Sequence, residues 1–208
     1  MPHELNYLKE TASQTAGPYV HIGLIPKQAG FDIFDHEFSN VMVDGRTKGE
    51  RIKFEGRIFD GSGALVRDAL VEVWQANAAG RYDHPADSQD KPFDPHFRGF
   101  GRAGSHFDTG MYFFDTIKPG AVVGRSGHPM APHLNLWIVA RGINIGLNTR
   151  AYFSDEVAAN TGDPVLNLVE LPERRKTLIA QRSVRDGEVV FTFDICLKGE
   201  RETVFLDV

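Results

Sequence analysis

The sequence predicts an all-β protein, an antiparallel β-sandwich with an extended N-terminal arm, long loops and one or two short helices. Three observations support this class: short segments in which apolar and polar residues alternate, turn-forming Gly and Pro residues between them, and few helical signals. Six or seven such segments in series are typical of a sandwich. Because alternation begins only after Gly49, we expect an arm over residues 1–48 and a β-sandwich domain over 49–208.

The first predicted strand runs from residue 50 to residue 60, where Ile52, Phe54 and Ile58 alternate with charged side chains. The other predicted strands cover 69–74, 111–114, 133–141, 149–153 and 188–197, with 202–206 as a candidate seventh. Between residues 76 and 110, frequent Gly, Pro, Asp and His predict a long functional loop. Pro172 predicts the first turn of a short helix.

The composition excludes several functional classes. A formal net charge of −5 argues against a nucleic-acid-binding surface, which is usually basic. No apolar run reaches the roughly 18 residues that a membrane span needs, and the first residues lack the basic and apolar regions of a signal peptide. Cys196, the one cysteine, cannot form an internal disulfide, which is typical of a reducing compartment. We therefore expect a cytoplasmic protein that binds neither nucleic acid nor membrane.

Residues 99–104 match the G-x-G-x-x-G pattern of dinucleotide-binding proteins. A functional fingerprint follows a strand and opens a helix whose N-terminus binds the pyrophosphate. Here Pro92 and Pro95 precede the pattern, and Thr109-Gly110 interrupts the segment after it. We therefore interpret the match as accidental.

The strand predicted over residues 133–141 has an unusual polar face. Alternation places His133, Asn135, Trp137, Val139 and Arg141 on one side and only apolar residues on the other. The polar side suits the wall of a pocket, a subunit interface or an ordinary solvated surface. Trp137 disfavours the solvated surface, because a fully exposed indole wastes apolar area.

Several segments together resemble the intradiol ring-cleaving dioxygenases. They cover residues 13–19, 71–82, 94–102, 116–120 and 132–135, in the order found in that family. The most specific is 71–82, which contains Trp-Gln-Ala-Asn, and the likeness is strongest to the non-catalytic chain of two-chain members. The resemblance implies a β-sandwich that takes part in the O2-dependent opening of a dihydroxylated aromatic ring.

Iron-binding chains of this family hold non-haem Fe(III) with two tyrosines and two histidines. The resemblance matches Tyr82 to the first tyrosine and His133 to the first histidine, whereas Val122 and Asn135 occupy the other two positions. Met130 stands where iron-binding chains have an arginine. Ferric iron favours anionic oxygen ligands, so this chain is expected to bind no iron and to carry no catalytic residue. Tyr82 and His133 are then remnants, hydrogen-bonded inside a closed site.

The resemblance implies a supporting role beside a homologous beta subunit that carries Fe(III), in a symmetric hetero-oligomer acting on protocatechuate and O2. The arm residues Thr15, Gly17 and Pro18 are expected to line the substrate cavity, because Gly and Pro let backbone approach a planar ring closely. Arg141 is the first candidate to bind the substrate carboxylate and Arg150 the second. An inter-subunit salt bridge is the alternative for either arginine.

Two other functional classes stay open at this point. One is a self-sufficient, iron-binding homodimeric catechol or hydroxyquinol dioxygenase, which Val122 and Asn135 disfavour. The other is a non-catalytic β-sandwich interaction module, in which the polar strand face is only a protein interface.

Overall fold

The computed structural model describes residues 14–34, 38–124 and 127–207, and this part of the chain consists mainly of β-strands. The strands are β1 Arg51–Phe59, β2 Leu70–Trp74, β3 Phe100–Gly104, β4 Met111–Ile117, β5 Val122–Val123, β6 Pro129–Met130, β7 His133–Val139, β8 Leu147–Phe153, β9 Ile179–Arg185, β10 Glu188–Thr192 and β11 Ile195–Cys196. The α-helices are α1 Val20–Leu24, α2 Val157–Gly162 and α3 Pro172–Arg175. None of the described helices has the length and apolar character that a bilayer crossing requires.

The strands form one large sheet in the order β11-β1-β10-β9-β8-β7-β2-β3, with β4 also paired to β1, and a small β5-β6 hairpin beside it. The predicted all-β fold is thereby confirmed. Most pairings are antiparallel, but β1 pairs in parallel with β10 and β11, and β8 with β9. These partners lie far enough apart in sequence for the long connections that parallel pairing needs.

One main core fills the space that the strands enclose. Its largest fully buried side chains include Phe54, Tyr112, Phe114, Phe153 and Phe191. Phe153 and Phe191 meet edge to face, with 4.8 Å between ring centroids, which is a favoured aromatic geometry. The alternation that predicted the strands therefore marks the residues that stabilise the fold.

The strand predicted over 188–197 is interrupted between β10 and β11. The carboxylate of Asp194 accepts the backbone N–H of Arg57 at 2.9 Å, so a side chain takes the place of one ladder bond. Pairing with β1 then resumes in the same register, because Glu55 faces Thr192 and Ile58 faces Ile195. The candidate seventh strand, 202–206, does not form as a strand. Only its last residue, Leu206, pairs, in an isolated bridge with Asn148.

The prediction of one long loop over 76–110 is wrong for residues 100–104. These residues form β3, which contains most of the G-x-G-x-x-G sequence and pairs with β2. Glycine is needed at two positions of that sequence. A Cβ on Gly101 would lie 2.9 Å from the carbonyl oxygen of Ser39, and one on Gly99, whose φ is +73°, would lie 2.6 Å from the carbonyl oxygen of Gln75. Residues 105–110, directly after β3, form a turn and not the helix that a dinucleotide fingerprint would open.

The described part of the predicted arm packs on the sheet. Ile25, just after α1, is buried with Leu70 and Val139 in a small cluster of its own. Val41 and Val43 form isolated bridges to residues of the sandwich. Residues 1–13 and 35–37 of the arm lie outside the described residues, and the division at residue 48 stays a prediction.

Gly56→Ala should destabilise the fold strongly. Gly56 lies in the middle of β1, where an added Cβ would overlap the carbonyl oxygen of Phe193 and lie 2.8 Å from the hydroxyl of Tyr112. We expect a loss of about 3 kcal/mol in the free energy of unfolding, measured by urea denaturation. Gly162→Ala is the control, because a Cβ there meets nothing within 4 Å. Equal stability of the two variants would contradict this account of the β1 packing.

Candidate functional site

Three neighbouring strands hold the residues that the sequence singled out. In the register of β2, β7 and β8, Asn135 faces Trp74 on one side and Arg150 on the other. Two residues earlier on β7, His133 faces Tyr152. Because side chains alternate along a strand, this register places the side chains of His133 and Asn135 on one face of the sheet, as predicted.

The amide of Asn135 links the row of side chains. Its Nδ2 donates hydrogen bonds of 3.2 Å to the carbonyl oxygen of Trp74 and to the hydroxyl of Tyr82. Its Oδ1 accepts a 3.0 Å hydrogen bond from Nε of Arg150. The Tyr82 ring is stacked on Trp74, with 5.8 Å between centroids and 11° between planes. The side chain of Tyr82 is therefore fixed at both its ring and its hydroxyl.

The phenol of Tyr82 is stable in its protonated form. Burial raises the pKa of Tyr82 above its usual range, although the Asn135 hydrogen bond and the charge of Arg150 act in the opposite direction. A protonated hydroxyl has a lone pair to accept the Asn135 N–H but no anionic charge to offer a metal. Tyr82 thus acts as a neutral hydrogen-bond partner in this chain.

The imidazole of His133 is buried and neutral at physiological pH. Burial, reinforced by the positive charge of Arg150, lowers the pKa of His133 to about 4. Its Nδ1 lies 2.7 Å from the carbonyl oxygen of Ala131, which requires the hydrogen on Nδ1. Nε2 is then an acceptor, and it is buried without a hydrogen-bond partner.

Asp163 anchors the segment that covers this end of β7. The carboxylate is fully buried and accepts the hydroxyl of Tyr152 at 3.0 Å. It also accepts the backbone N–H groups of Ala131, Val165 and Leu166 at 2.7–2.9 Å. The turn after α2 is thereby tied to β8 and to the residues just before β7.

Arg150 lies beside positions that the resemblance matched to iron ligands, because it bonds Asn135 and its charge acts on the pKa of Tyr82 and of His133. Besides Asn135, its guanidinium contacts the sulfur of Met130, 3.4 Å from Nη1. Met130 is in turn paired with Val122 across the β5-β6 hairpin. The structure therefore brings Met130 and Asn135 together around Arg150, with Tyr82 attached through Asn135.

These residues do not fit a ferric ion. Of the four positions that the resemblance matches to iron ligands, Val122 has no donor atom and Asn135 has only an amide, which already bonds Trp74, Tyr82 and Arg150, whereas Fe(III) favours anionic oxygen donors. The guanidinium of Arg150 adds a positive charge that would repel a metal cation. Throughout the three described segments, no group of three or more His, Cys, Asp or Glu side chains is placed to hold a metal.

The predicted arm residues lie at the opposite end of β7. The hydroxyl of Thr15 accepts the backbone N–H of Gly142 at 2.6 Å, just beyond that strand. The carbonyl of Gly17 accepts the N–H of Val20 at 3.2 Å and so begins α1. Pro18 and Arg141 line one cavity of about 910 Å³. The structure thus brings these four predicted residues into one neighbourhood.

The two candidate arginines occupy separate places. Nε of Arg141 lies 3.0 Å from the carboxylate of Asp68, and its side chain is 67% exposed. Arg150 lies beside the start of β7, and a seven-residue strand spans roughly 20 Å. Arg141 and Arg150 therefore cannot serve the same pocket within one chain.

Sequence reasoning missed two parts of the site: the contacts of Arg150 with Asn135 and Met130, and the Tyr152–Asp163 pair. A signal was present on β8, where Asn148, Arg150 and Tyr152 alternate with Thr149 and other residues and so share one polar face. Asp163 follows α2 and gives no signal of its own, because its partners come from β8 and from before β7.

A family model described as Dioxygenase matches residues 32–199. This match covers most of the chain, which therefore belongs to the intradiol dioxygenase family, as its motifs predicted. The chain is 50% identical over 207 residues to the protocatechuate 3,4-dioxygenase alpha chain of Pseudomonas putida, covering 100% of both. It is 37% identical over 182 residues to the beta chain of the same enzyme from Burkholderia cepacia, covering 81% of this chain and 74% of that one.

The fold is also found in a solved structure of a related enzyme. The 3-chlorocatechol 1,2-dioxygenase of Rhodococcus opacus 1CP matches with a TM-score of 0.58 at 22% identity. The match covers 75% of this chain and 63% of the other. At this identity the likeness concerns the fold alone, and it agrees with the predicted β-sandwich.

The buried His133 predicts a specific loss of stability in mild acid. The folded-state pKa of about 4 lies below the ordinary value of 6.5, so below pH 6.5 the unfolded chain binds a proton that the folded chain does not. We expect His133 to lower the free energy of unfolding by about 3 kcal/mol between pH 6.5 and pH 4. His133→Gln should remove that part of the pH dependence, measured by urea denaturation at several pH values.

The control for this pH series is His128→Gln, which alters an exposed histidine. His128→Gln should keep the wild-type slope. If the His133→Gln and wild-type slopes were the same, the neutral, buried state of His133 would be disproved.

Proposed function

We propose that this chain is the alpha-type, non-iron-binding subunit of a protocatechuate 3,4-dioxygenase, assembled with a homologous beta-type subunit that carries Fe(III). The full-length 50% identity to an alpha chain is the observation that carries the proposal. The positions matched to iron ligands support the proposal, because Asn135 occupies one of them and its amide is hydrogen-bonded to Tyr82 and Arg150. A cytoplasmic location and a symmetric hetero-oligomer belong to the same proposal.

In the proposed reaction, O2 opens the protocatechuate ring between its two hydroxylated carbons. Both oxygen atoms enter the product, 3-carboxy-cis,cis-muconate, so that no other reactant is needed. The role of this chain is to position the substrate, which contributes to rate by fixing the reacting geometry. The iron chemistry belongs to the partner subunit, and none of it is assigned to residues of this chain.

The arm end of β7 is the part of this chain that we assign to the substrate pocket. Thr15 is fixed to Gly142, and Ile25 is buried against the sheet, so the segment between them is held at both ends. This anchoring supports a wall of fixed shape at Gly17 and Pro18. The exposed guanidinium of Arg141 supplies a charge that suits the carboxylate of protocatechuate.

The two alternative functions are less well supported. A self-sufficient catechol or hydroxyquinol dioxygenase needs its own iron ligands, and Val122 and Asn135 provide none. A plain interaction module does not account for full-length similarity to an enzyme subunit.

Iron analysis of co-expressed chains tests the proposed function. This chain should be colourless and inactive alone, and it should co-purify with a homologous iron-binding chain as an active pair. His133→Gln in this chain should leave the iron content of the pair unchanged, because His133 is not a ligand in the proposal. Iron and ring cleavage in this chain alone would favour the homodimeric alternative. Pairing without any effect on activity would favour the interaction module.

Arg141→Met tests the proposed substrate contact. Loss of a charge-assisted hydrogen bond should raise KM for protocatechuate about tenfold or more. Turnover of catechol, which lacks the carboxylate, should be unchanged. The measurement is steady-state O2 uptake by the assembled pair, with iron content determined in parallel.

Asp68→Asn is the matched control for this experiment. This substitution removes the ion pair between Arg141 and Asp68 but keeps the guanidinium of Arg141, so KM for protocatechuate should stay near the wild-type value. If Arg141→Met left KM unchanged, or if both variants equally disrupted assembly, Arg141 would be a structural residue and the assignment would fail.

A further inference from the structure

A second cavity lies at the other end of β7, next to Arg150. Its volume is about 900 Å³, which is within the range of small-molecule pockets. Its floor contains Asn135 and Arg150, and its walls come from the β5-β6 hairpin, the turn after α2 and the residues around Leu206. All the lining residues that the structure describes belong to this chain.

The guanidinium of Arg150 has only neutral partners. They are the amide oxygen of Asn135, the sulfur of Met130 and the hydroxyl of Tyr152. A guanidinium carries five N–H donors, so donor capacity and a full positive charge remain. Among the described residues, no carboxylate forms an ion pair with Arg150. Asp163, the nearest buried carboxylate in this network, is occupied by Tyr152 and by backbone N–H groups.

The walls of the cavity are largely apolar. Met130, Val165, Leu168 and Leu206 all face it, and Leu168 is 76% exposed although it is a large hydrophobic residue. An apolar surface beside a guanidinium that forms no ion pair within the described part of the chain suits a ligand with an apolar body and one negative charge. Asp207 is the one carboxylate among the described residues of the wall, and it would disfavour a ligand with a second negative charge.

We propose that this cavity is a binding site for a small amphipathic monocarboxylate, such as an aromatic acid, whose carboxylate pairs with Arg150 and whose apolar body contacts Met130, Val165 and Leu168. The inference does not depend on the proposed subunit function. It concerns a ligand site in this chain, which no part of the proposed reaction uses.

Equilibrium dialysis with labelled benzoate tests the site, using the full-length chain in the complex with which it purifies. Benzoate has no hydroxyl groups and cannot undergo ring cleavage. We expect the wild type to bind one more benzoate per copy of this chain than Arg150→Met does, or to bind it at least tenfold more tightly. Benzamide, a neutral analogue of the same shape, should bind at least tenfold more weakly than benzoate.

Three further variants keep the result interpretable. Arg46→Met, at an exposed turn residue, should bind benzoate like the wild type. Leu168→Asp places a negative charge at an exposed position in the wall and should weaken benzoate binding without disturbing the core, even if Arg150→Met does not fold. Asp207→Asn should keep or strengthen binding.

Three results would overturn the proposal. The first is equal benzoate stoichiometry and affinity in the wild type, Arg150→Met and Leu168→Asp. The second is equal binding of benzamide and benzoate, which would remove the role of the charge. The third is displacement of benzoate by acetate or chloride at equal concentration, which would indicate a nonspecific anion site without an apolar component.

Discussion

The hydrogen bonds between Asn135, Tyr82 and Arg150 determine what this end of the molecule can do. A ferric ion favours anionic oxygen donors, whereas the guanidinium of Arg150 is a cation that only donates hydrogen bonds and here needs an acceptor on Asn135. The amide of Asn135 suits the second arrangement, because both of its N–H groups are used while its oxygen accepts from Arg150. A neutral imidazole offers a single N–H and could not make all three bonds. An amide at position 135 can therefore bond Trp74, Tyr82 and Arg150 together, which an imidazole cannot.

This arrangement depends on sheet register. Asn135 meets Arg150 only because β7 and β8 pair with these two residues opposite each other. A slip of one residue would turn the side chains of one strand to the other face and break the hydrogen bond. The same register brings the charge of Arg150 near His133, where it adds to burial in keeping the imidazole neutral. Local sequence at either strand does not contain this information.

The parts that the sequence predicted are those that depend on local pattern. Alternation located β1, β7 and β10, an apolar run located β2, and Pro172 located α3, because each signal lies within the element itself. β3 was missed because its glycines suggest a loop, although Gly101 leaves room for the backbone of Ser39 and the side chain of Met42. The relict ligand positions came from family resemblance. The roles of Arg150 and Asp163 could not be predicted, because their partners are distant in sequence and are selected by the fold.

The two ends of β7 are physically separate parts of the protein. A small cluster of Ala131, Tyr152, Leu166 and Leu178 packs at the end with the relict ligand positions, whereas Ile25, Leu70 and Val139 pack under the arm. The ends are roughly 20 Å apart, beyond the distance at which substitutions usually influence each other. A substitution at the first end is therefore not expected to disturb the arm at the other end. This separation is compatible with the proposed role, in which the chain binds no iron at one end and the arm at the other end contacts a partner subunit.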